Sequence, residues 1–343
     1  MPSVFETGLT ADFLAGKQRL FSEEELVLLK SQGINYCFLE RNESPLSGDL
    51  VGNIDALICL ASRINADSLG RSGRLLAVLR FGVGYDTVDV AACTRAGVAL
   101  FIAAGAVNHS VAEAILGWML ALGHHCFQKD RIVREGRWQE KSQWMGSELR
   151  GKVIGLLGLG GIGSTVAGLL KPFRVAEILA CDPYTSGSDA SALGVHLCSL
   201  DKLLGASDYV VICCPLNEET RGMIGPAELA RMKPQAYLVN TARGGIVDEM
   251  ALVEALKTRR LAGAAIDVFA EEPPPVRHPL FELDNVILAP HAIAWTHELF
   301  QEMSRMCCQQ AIALAHGKIP AGLVNKEVCD QEGFRRKLNR WKS

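Results

Sequence analysis

Short apolar runs alternate with helical stretches along almost the whole chain. In the first hundred residues, strands are predicted near Ile34–Leu39, Ala56–Leu60, Leu75–Leu79 and Val98–Ala103, with helices between them. The helix over Glu23–Gln32 opens with Ser22 and Glu25 at capping-box spacing. The rhythm restarts at Lys152, with strands near Val153–Gly158, Ile178–Cys181, Tyr209–Cys214, Tyr237–Asn240, Ala264–Asp267 and Val286–Ala289. A last helix covers roughly Thr296–His316. Alternation of this kind belongs to βαβ units and a parallel sheet, so the expected class is α/β with doubly wound sheets.

One segment breaks the rhythm. From Ser110 to Phe127 the pattern is helical but apolar nearly all round, so this helix must be buried in a core or against another subunit. A polar stretch carrying Trp138 and Trp144 follows it. The tail EGFRRKLNRWKS carries five basic residues and reads as a solvated helical end.

Composition narrows the classes. At 343 residues two domains are expected, and 49% apolar with 21% charged residues excludes disorder as the main state. Lys+Arg (35) and Asp+Glu (38) nearly balance, which argues against a nucleic-acid partner. The longest apolar stretch, Val98–Val107, has ten residues, short of the roughly 20 that a membrane helix needs. Of eleven cysteines, Cys37, Cys59, Cys181, Cys213 and Cys214 sit in apolar runs, where Cys behaves as a small hydrophobe. No CxxC pair and no Cys/His cluster at zinc spacing occurs, so no metal is expected. An odd cysteine count and an N-terminus without a signal-peptide pattern point to a reducing, cytoplasmic location.

The strand VIGLLG runs straight into Gly158-Leu159-Gly160-Gly161-Ile162-Gly163, which opens a helix over Ile162–Lys171. Asp182 follows the next strand, nineteen residues after Gly163. In this context the glycines have separate jobs: Gly158 for a tight turn, Gly160 for approach of the backbone to a pyrophosphate, Gly163 for close helix–strand packing. Free N–H groups at the helix start suit the phosphates, and a carboxylate at Asp182 suits a ribose 2′-OH. No Arg or Lys follows in Pro183–Gly187 to receive a 2′-phosphate, so the expected cofactor is NAD.

Three later strand ends carry chemistry. Arg243 lies beyond one strand, Glu272 beyond the next, twenty-nine residues on, and His291 beyond a third, nineteen further. Arg243 suits a substrate carboxylate and polarisation of a keto oxygen. His291 suits proton donation to the alkoxide that forms as hydride arrives, with Glu272 orienting the ring and favouring its protonated form. The alternative is a non-catalytic NAD(H)-sensing binding protein of the same fold, against which the intact trio argues.

The stretches GVGYDTVDVAA, SVAEAILGWMLAL, RGKVIGLLGLGGIG, PLNEETRGMI, MKPQAYLVNTARGGIVDE, GAAIDVFAEEP and NVILAPH resemble the D-isomer-specific 2-hydroxyacid dehydrogenases in order and content. The resemblance implies catalytic roles for Arg243, Glu272 and His291, and cofactor contacts at Gly161, Ile162, Asp182, Cys214, Thr241, Ala242 and Asp267. It implies carboxylate-binding amides at Ser62, Gly82 and Val83, a basic position at Arg80, and a pocket lined by Trp295. Cys214 stands where the family usually has Thr. The implied substrate is a small D-2-hydroxy acid or 2-keto acid of the phosphoglycerate or hydroxypyruvate/glyoxylate type; Arg63, Arg71 and Arg80 are candidates to meet a phosphate. The implied architecture is a Rossmann NAD-binding domain, 105–291, inserted into a flavodoxin-like substrate-binding domain, 1–104 with 292–343. A homodimer through residues 110–145 is expected.

Overall fold

A computed structural model describes residues 4–14, 20–70 and 73–342 of the chain, so Arg71 lies outside the described residues. Two compact units emerge, Met1–Val107 with Thr296–Ser343, and Asn108–Trp295.

In the first unit, β1 (Glu6–Leu9), β2 (Asn35–Phe38), β3 (Ala56–Cys59), β4 (Ala77–Arg80) and β5 (Ala99–Ile102) form a parallel sheet in the order β2-β1-β3-β4-β5. β1 is absent from the sequence-based expectation, because its residues ETGL show neither an apolar run nor clean alternation. Its place comes from tertiary pairing with β2 and β3, and from Asp55, which accepts the Glu6 N–H at 2.8 Å. Cys37 departs from its expected burial: β2 is an edge strand and leaves the thiol exposed.

The helix Glu23–Ser31 forms where expected, but without the capping box. Ser22 makes no side-chain cap; its N–H donates instead to Ser304 Oγ at 3.1 Å, in the helix His297–Ala315. That long helix begins with Thr296 accepting from the Leu299 amide and buries Cys307 and Cys308, both free thiols that fill the core. The basic tail also differs from a solvated end. In the helix Glu332–Asn339, Phe334 and Leu338 are buried, and Lys337 Nζ donates to the carbonyls of Leu75, Ala96 and Gly97 at 2.9, 3.1 and 3.2 Å. Amphipathic spacing turns one cation inward, where three backbone acceptors replace water.

The second unit holds β6 (Val153–Leu157), β7 (Glu177–Cys181), β8 (His196–Leu197), β9 (Tyr209–Ile212), β10 (Tyr237–Asn240), β11 (Gly263–Ile266) and β12 (Val286–Leu288). All pair in parallel, in the order β12-β11-β10-β9-β6-β7-β8. The strand order reverses between β6 and β9, which creates the switch point at which open α/β sheets bind ligands. β8 has two residues, too few to show a period. Two apolar clusters, one built around Leu238 and Ile266 and the other around Val211 and Ala265, make up the core.

The helix expected to run to Phe127 ends at Gly123. His125 adopts φ 53°, and a second helix, Cys126–Arg134, starts there. Ala112, Ile115, Trp118, Met119 and Leu122 are buried on the first helix, which packs against the helix Gly161–Leu170. Its apolar character is thus only partly explained by the core, and Phe127, Val133, Trp138 and Met145 beyond it are exposed. Among the described residues no helix is long and apolar enough to cross a membrane.

Candidate active site

Because every strand of the second sheet runs the same way, all their carboxyl ends fall on one edge. Gly158 follows β6, Asp182 follows β7 and Cys214 lies beyond β9. Arg243, Glu272 and His291 lie beyond β10, β11 and β12. Residues scattered over more than 130 positions of sequence are therefore delivered to one rim.

The glycine turn has the shape that the motif demands. Gly158 takes φ +97°, and a side chain there would sit 2.9 Å from the Cys214 amide nitrogen. A Cβ on Gly163 would collide with the Gly158 carbonyl, so helix and strand touch through backbone. Around Gly160, by contrast, a Cβ would meet nothing, which leaves open space at the start of the helix Gly161–Leu170. Ile162 is half-buried beside it, and Gly161 is exposed. This cradle fits a dinucleotide pyrophosphate.

Asp182 is held rigidly. Its Oδ2 accepts the Leu159 N–H at 2.7 Å, and its Oδ1 accepts those of Tyr184 and Thr185 at 2.8 and 3.0 Å. Burial pushes its pKa up, but these amide hydrogen bonds outweigh that and leave it below the ordinary carboxylate value. Tyr184, on the same turn, donates to Glu219 at 3.1 Å. At Cys214 burial pushes the thiol to about 11, so it stays a neutral, weak donor.

His291 and Glu272 form a tight pair, Nδ1 to Oε2 at 2.7 Å. The other oxygen, Oε1, accepts the Phe269 N–H at 3.1 Å, and among the described residues His291 Nε2 has no hydrogen-bond partner. Burial raises the Glu272 pKa, yet the bond from His291, its charge, the Phe269 amide and Arg243 together bring it below 4.5. A carboxylate depressed in this way stabilises the folded state above pH 4.5, and that contribution disappears as the pH falls through its lower folded value. His291 itself sits at φ 55°, an unusual backbone for a non-glycine residue, fixed by its N–H donating to the Asp267 carbonyl at 2.7 Å.

Asp267 braces the same turn. Its Oδ1 accepts the Ala292 and Ile293 amides at 2.9 and 3.2 Å, while burial raises its pKa. Arg243 is half-buried and its Nη1 donates to the Ala242 carbonyl at 2.7 Å. Thr241 and Ala242 occupy the turn before it. Asn240, given no role in the sequence reading, is what shapes that turn: 1% exposed, it accepts the Ala242 N–H and donates to the Arg243 carbonyl. A polar residue ending the apolar strand YLVN was the available signal, since a buried amide must be satisfied.

In the first unit, Ser62 lies past the carboxyl end of β3, Arg80 ends β4 and Gly82 follows it. Arg80 Nη1 donates to the Phe81 carbonyl at 2.6 Å, and Gly82 takes φ +138° beside that guanidinium. Ser62 is 3% exposed and its hydroxyl has no partner among the described residues. Val83 is half-buried. Trp295 closes the second unit, with its side chain exposed and its backbone N–H donating to the Ala292 carbonyl at 3.0 Å. No group of three or more His, Cys, Asp or Glu side chains among the described residues is arranged to hold a metal ion.

Comparison with known proteins places this geometry. Residues 116–292 match the NAD-binding domain of the D-isomer specific 2-hydroxyacid dehydrogenases. A glyoxylate reductase of Korarchaeum cryptofilum is 39% identical over 300 residues, covering 84% of this chain and 90% of its own. A D-3-phosphoglycerate dehydrogenase of Archaeoglobus fulgidus is 39% identical over 80% of this chain and 51% of its own length. Among solved structures, an NADPH-dependent glyoxylate/hydroxypyruvate reductase of Sinorhizobium meliloti, in complex with NADP and malonate, superposes with a TM-score of 0.80. It shares 26% identity over 95% of this chain and 98% of its own. A doubly wound sheet with its glycine turn at the switch point and this breadth of sequence identity lead to one conclusion: the chain belongs to the D-isomer specific 2-hydroxyacid dehydrogenase family and is an NAD(P)-dependent dehydrogenase.

Proposed function

We propose that the chain reduces a small 2-keto acid of the glyoxylate or hydroxypyruvate type with NADH, the reaction being reversible toward the D-2-hydroxy acid. The observation that carries this reading is the His291–Glu272 pair at 2.7 Å, with no hydrogen-bond partner for Nε2 among the described residues. A ring oriented through Nδ1 presents a proton at Nε2, where a reacting alkoxide would take it. When bound, the dinucleotide supplies the hydride. Arg243, with five N–H donors in a planar fork, engages the substrate carboxylate and the keto oxygen. Ser62, Arg80, Gly82 and Val83 are the substrate-binding candidates of the first unit, and Trp295 is that of the second. The names of the relatives support the substrate class.

NAD is the preferred cofactor on this reading. Asp182 is fixed by three amides and its lowered pKa keeps it charged, so it accepts from a ribose 2′-OH and repels a 2′-phosphate. The test is a panel of glyoxylate, hydroxypyruvate, pyruvate and phosphohydroxypyruvate, with NADH and NADPH compared by loss of reduced cofactor. Glyoxylate or hydroxypyruvate should give the highest kcat/KM, and NADH should exceed NADPH. Preference for phosphohydroxypyruvate would move the substrate assignment, and a higher kcat/KM with NADPH would end the NAD assignment. Binding of NADH with silence across the panel would replace the enzyme by a sensor.

The exposed side chains of Phe127, Val133, Trp138 and Met145 lie within 18 residues of one another, next to a helix too apolar for its own core. Exposed apolar side chains of this kind are what a twin subunit covers. The chain is therefore assigned as a homodimer through residues 110–145. Light scattering at micromolar concentration should return twice the 37.1 kDa chain mass, and a monomer would overturn the assignment.

A further inference from the structure

The loop between β11 and β12 carries Glu272 and must hold its carboxylate against His291. A second acid–imidazole pair lies at its base. Glu249 is the first residue of the helix Glu249–Lys257, six residues after Arg243. Its Oε2 accepts the Ala270 N–H at 3.1 Å and its Oε1 lies 2.9 Å from His278 Nε2. One carboxylate thus ties the loop at two points, two residues before Glu272 and six after it. His278 is 7% exposed and Glu249 18%, against 42% and 37% for His291 and Glu272.

The tautomer follows from the other ring nitrogen. The Leu280 N–H donates to His278 Nδ1 at 3.3 Å, so Nδ1 is the acceptor and Nε2 carries the proton that Glu249 receives. Phe269 and Phe281 confine the ring, with centroids 5.6 and 5.4 Å away. Phe269 also rests directly on Gly244, where a Cβ would collide with its carbonyl. The Arg243 turn, the Glu249 helix start and the Glu272 loop are therefore one packed piece, and the Phe269 amide that binds Glu272 is part of it.

We propose that Glu249 and His278 are a positioning pair, which fixes the Glu272 loop so that its carboxylate meets His291 in register. The inference rests on the reading of His291 as proton donor. Neither residue touches the reacting atoms. Their effect passes through Ala270 and Phe269 to Glu272, and from Glu272 to the imidazole.

Two substitutions at one position separate positioning from folding. In His278→Asn the shorter side chain keeps an acceptor for the Leu280 N–H but does not reach Glu249. In His278→Gln the longer amide restores a donor at the Nε2 position. His278→Asn should lower kcat about tenfold, the scale of a small misplacement of a reacting group. The alkaline limb of keto-acid reduction should move to lower pH, because the ring loses its carboxylate partner. A ¹⁵N NMR titration of the His291 ring should move with it, while NADH affinity by fluorescence stays unchanged. His278→Gln should restore both rate and limb, and Glu249→Gln, which accepts only one of the two N–H groups, should resemble His278→Asn.

A rate loss with an unmoved limb, or equal losses in Asn and Gln variants of normal melting temperature, would overturn the positioning role. Wild-type behaviour of His278→Asn would do the same. Full turnover in His291→Gln would instead remove the proton-donor reading on which the inference stands. Loss of turnover there, with His291 titrating normally in His278→Asn and Glu249→Gln, removes only the inference.

Discussion

His291→Gln is expected to lower turnover with glyoxylate or hydroxypyruvate by about 10²–10⁴-fold, the usual worth of a general acid. The amide can occupy much of the ring's space and still donate weakly, but it cannot release a proton to an alkoxide. NADH binding should be retained, because the glycine turn and Asp182 lie at other strand ends of the sheet. Single-turnover reduction with saturating NADH measures the chemical step, and fluorescence titration measures the cofactor. The pH dependence of reduction adds a second signature: a limb that belongs to the general acid in the wild type should be absent from the variant. Turnover within about threefold of wild type would remove His291 from the chemistry, since even weak general-acid catalysis exceeds that.

Arg243→Ala should lower kcat/KM for the 2-keto acid by roughly 10²–10³-fold, comparable to the loss of one donor to a developing oxyanion. Two effects add here. The substrate loses a bidentate partner for its carboxylate, which raises KM, and the keto oxygen loses a cation as negative charge develops on it, which lowers kcat. Arg243→Lys should recover little, since a point charge does not reproduce the planar fork. Glu272 also loses the positive neighbour that helps to keep its pKa low, though His291 and the Phe269 amide remain. Steady-state kinetics at saturating NADH resolve the two effects. Unchanged kcat/KM in Arg243→Ala would place the carboxylate site elsewhere.

Arg243, Glu272 and His291 stand at positions that are legible in the sequence. Each follows an apolar run that forms a strand, and parallel strands put their carboxyl ends on one edge, so spacing alone brought them together. The glycine turn was equally readable, because φ +97° at Gly158 and backbone contact at Gly163 demand a residue without a side chain. What could not be read was the bracing. Asn240, Asp267, Glu249 and His278 act through hydrogen bonds to residues 2 to 29 positions away, and no local period announces such partners.

The amino-acid sequence by itself determined the α/β class, ten of the twelve strands and the residue types at the rim, because apolar periodicity and glycine conformation are local properties. Tertiary structure decided the rest. β1, with Glu6, Thr7 and Gly8, becomes an inner strand only because β2 and β3 flank it. Lys337 turns inward because three carbonyls wait there, and Ser22 abandons its cap for the Ser304 hydroxyl. The apolar helix after Asn108 stops at Gly123 because His125 reverses the chain in a left-handed conformation. In each case a partner distant in sequence, or a backbone reversal that hydrophobicity does not encode, competes with the local preference and wins by satisfying polar groups that burial cuts off from water.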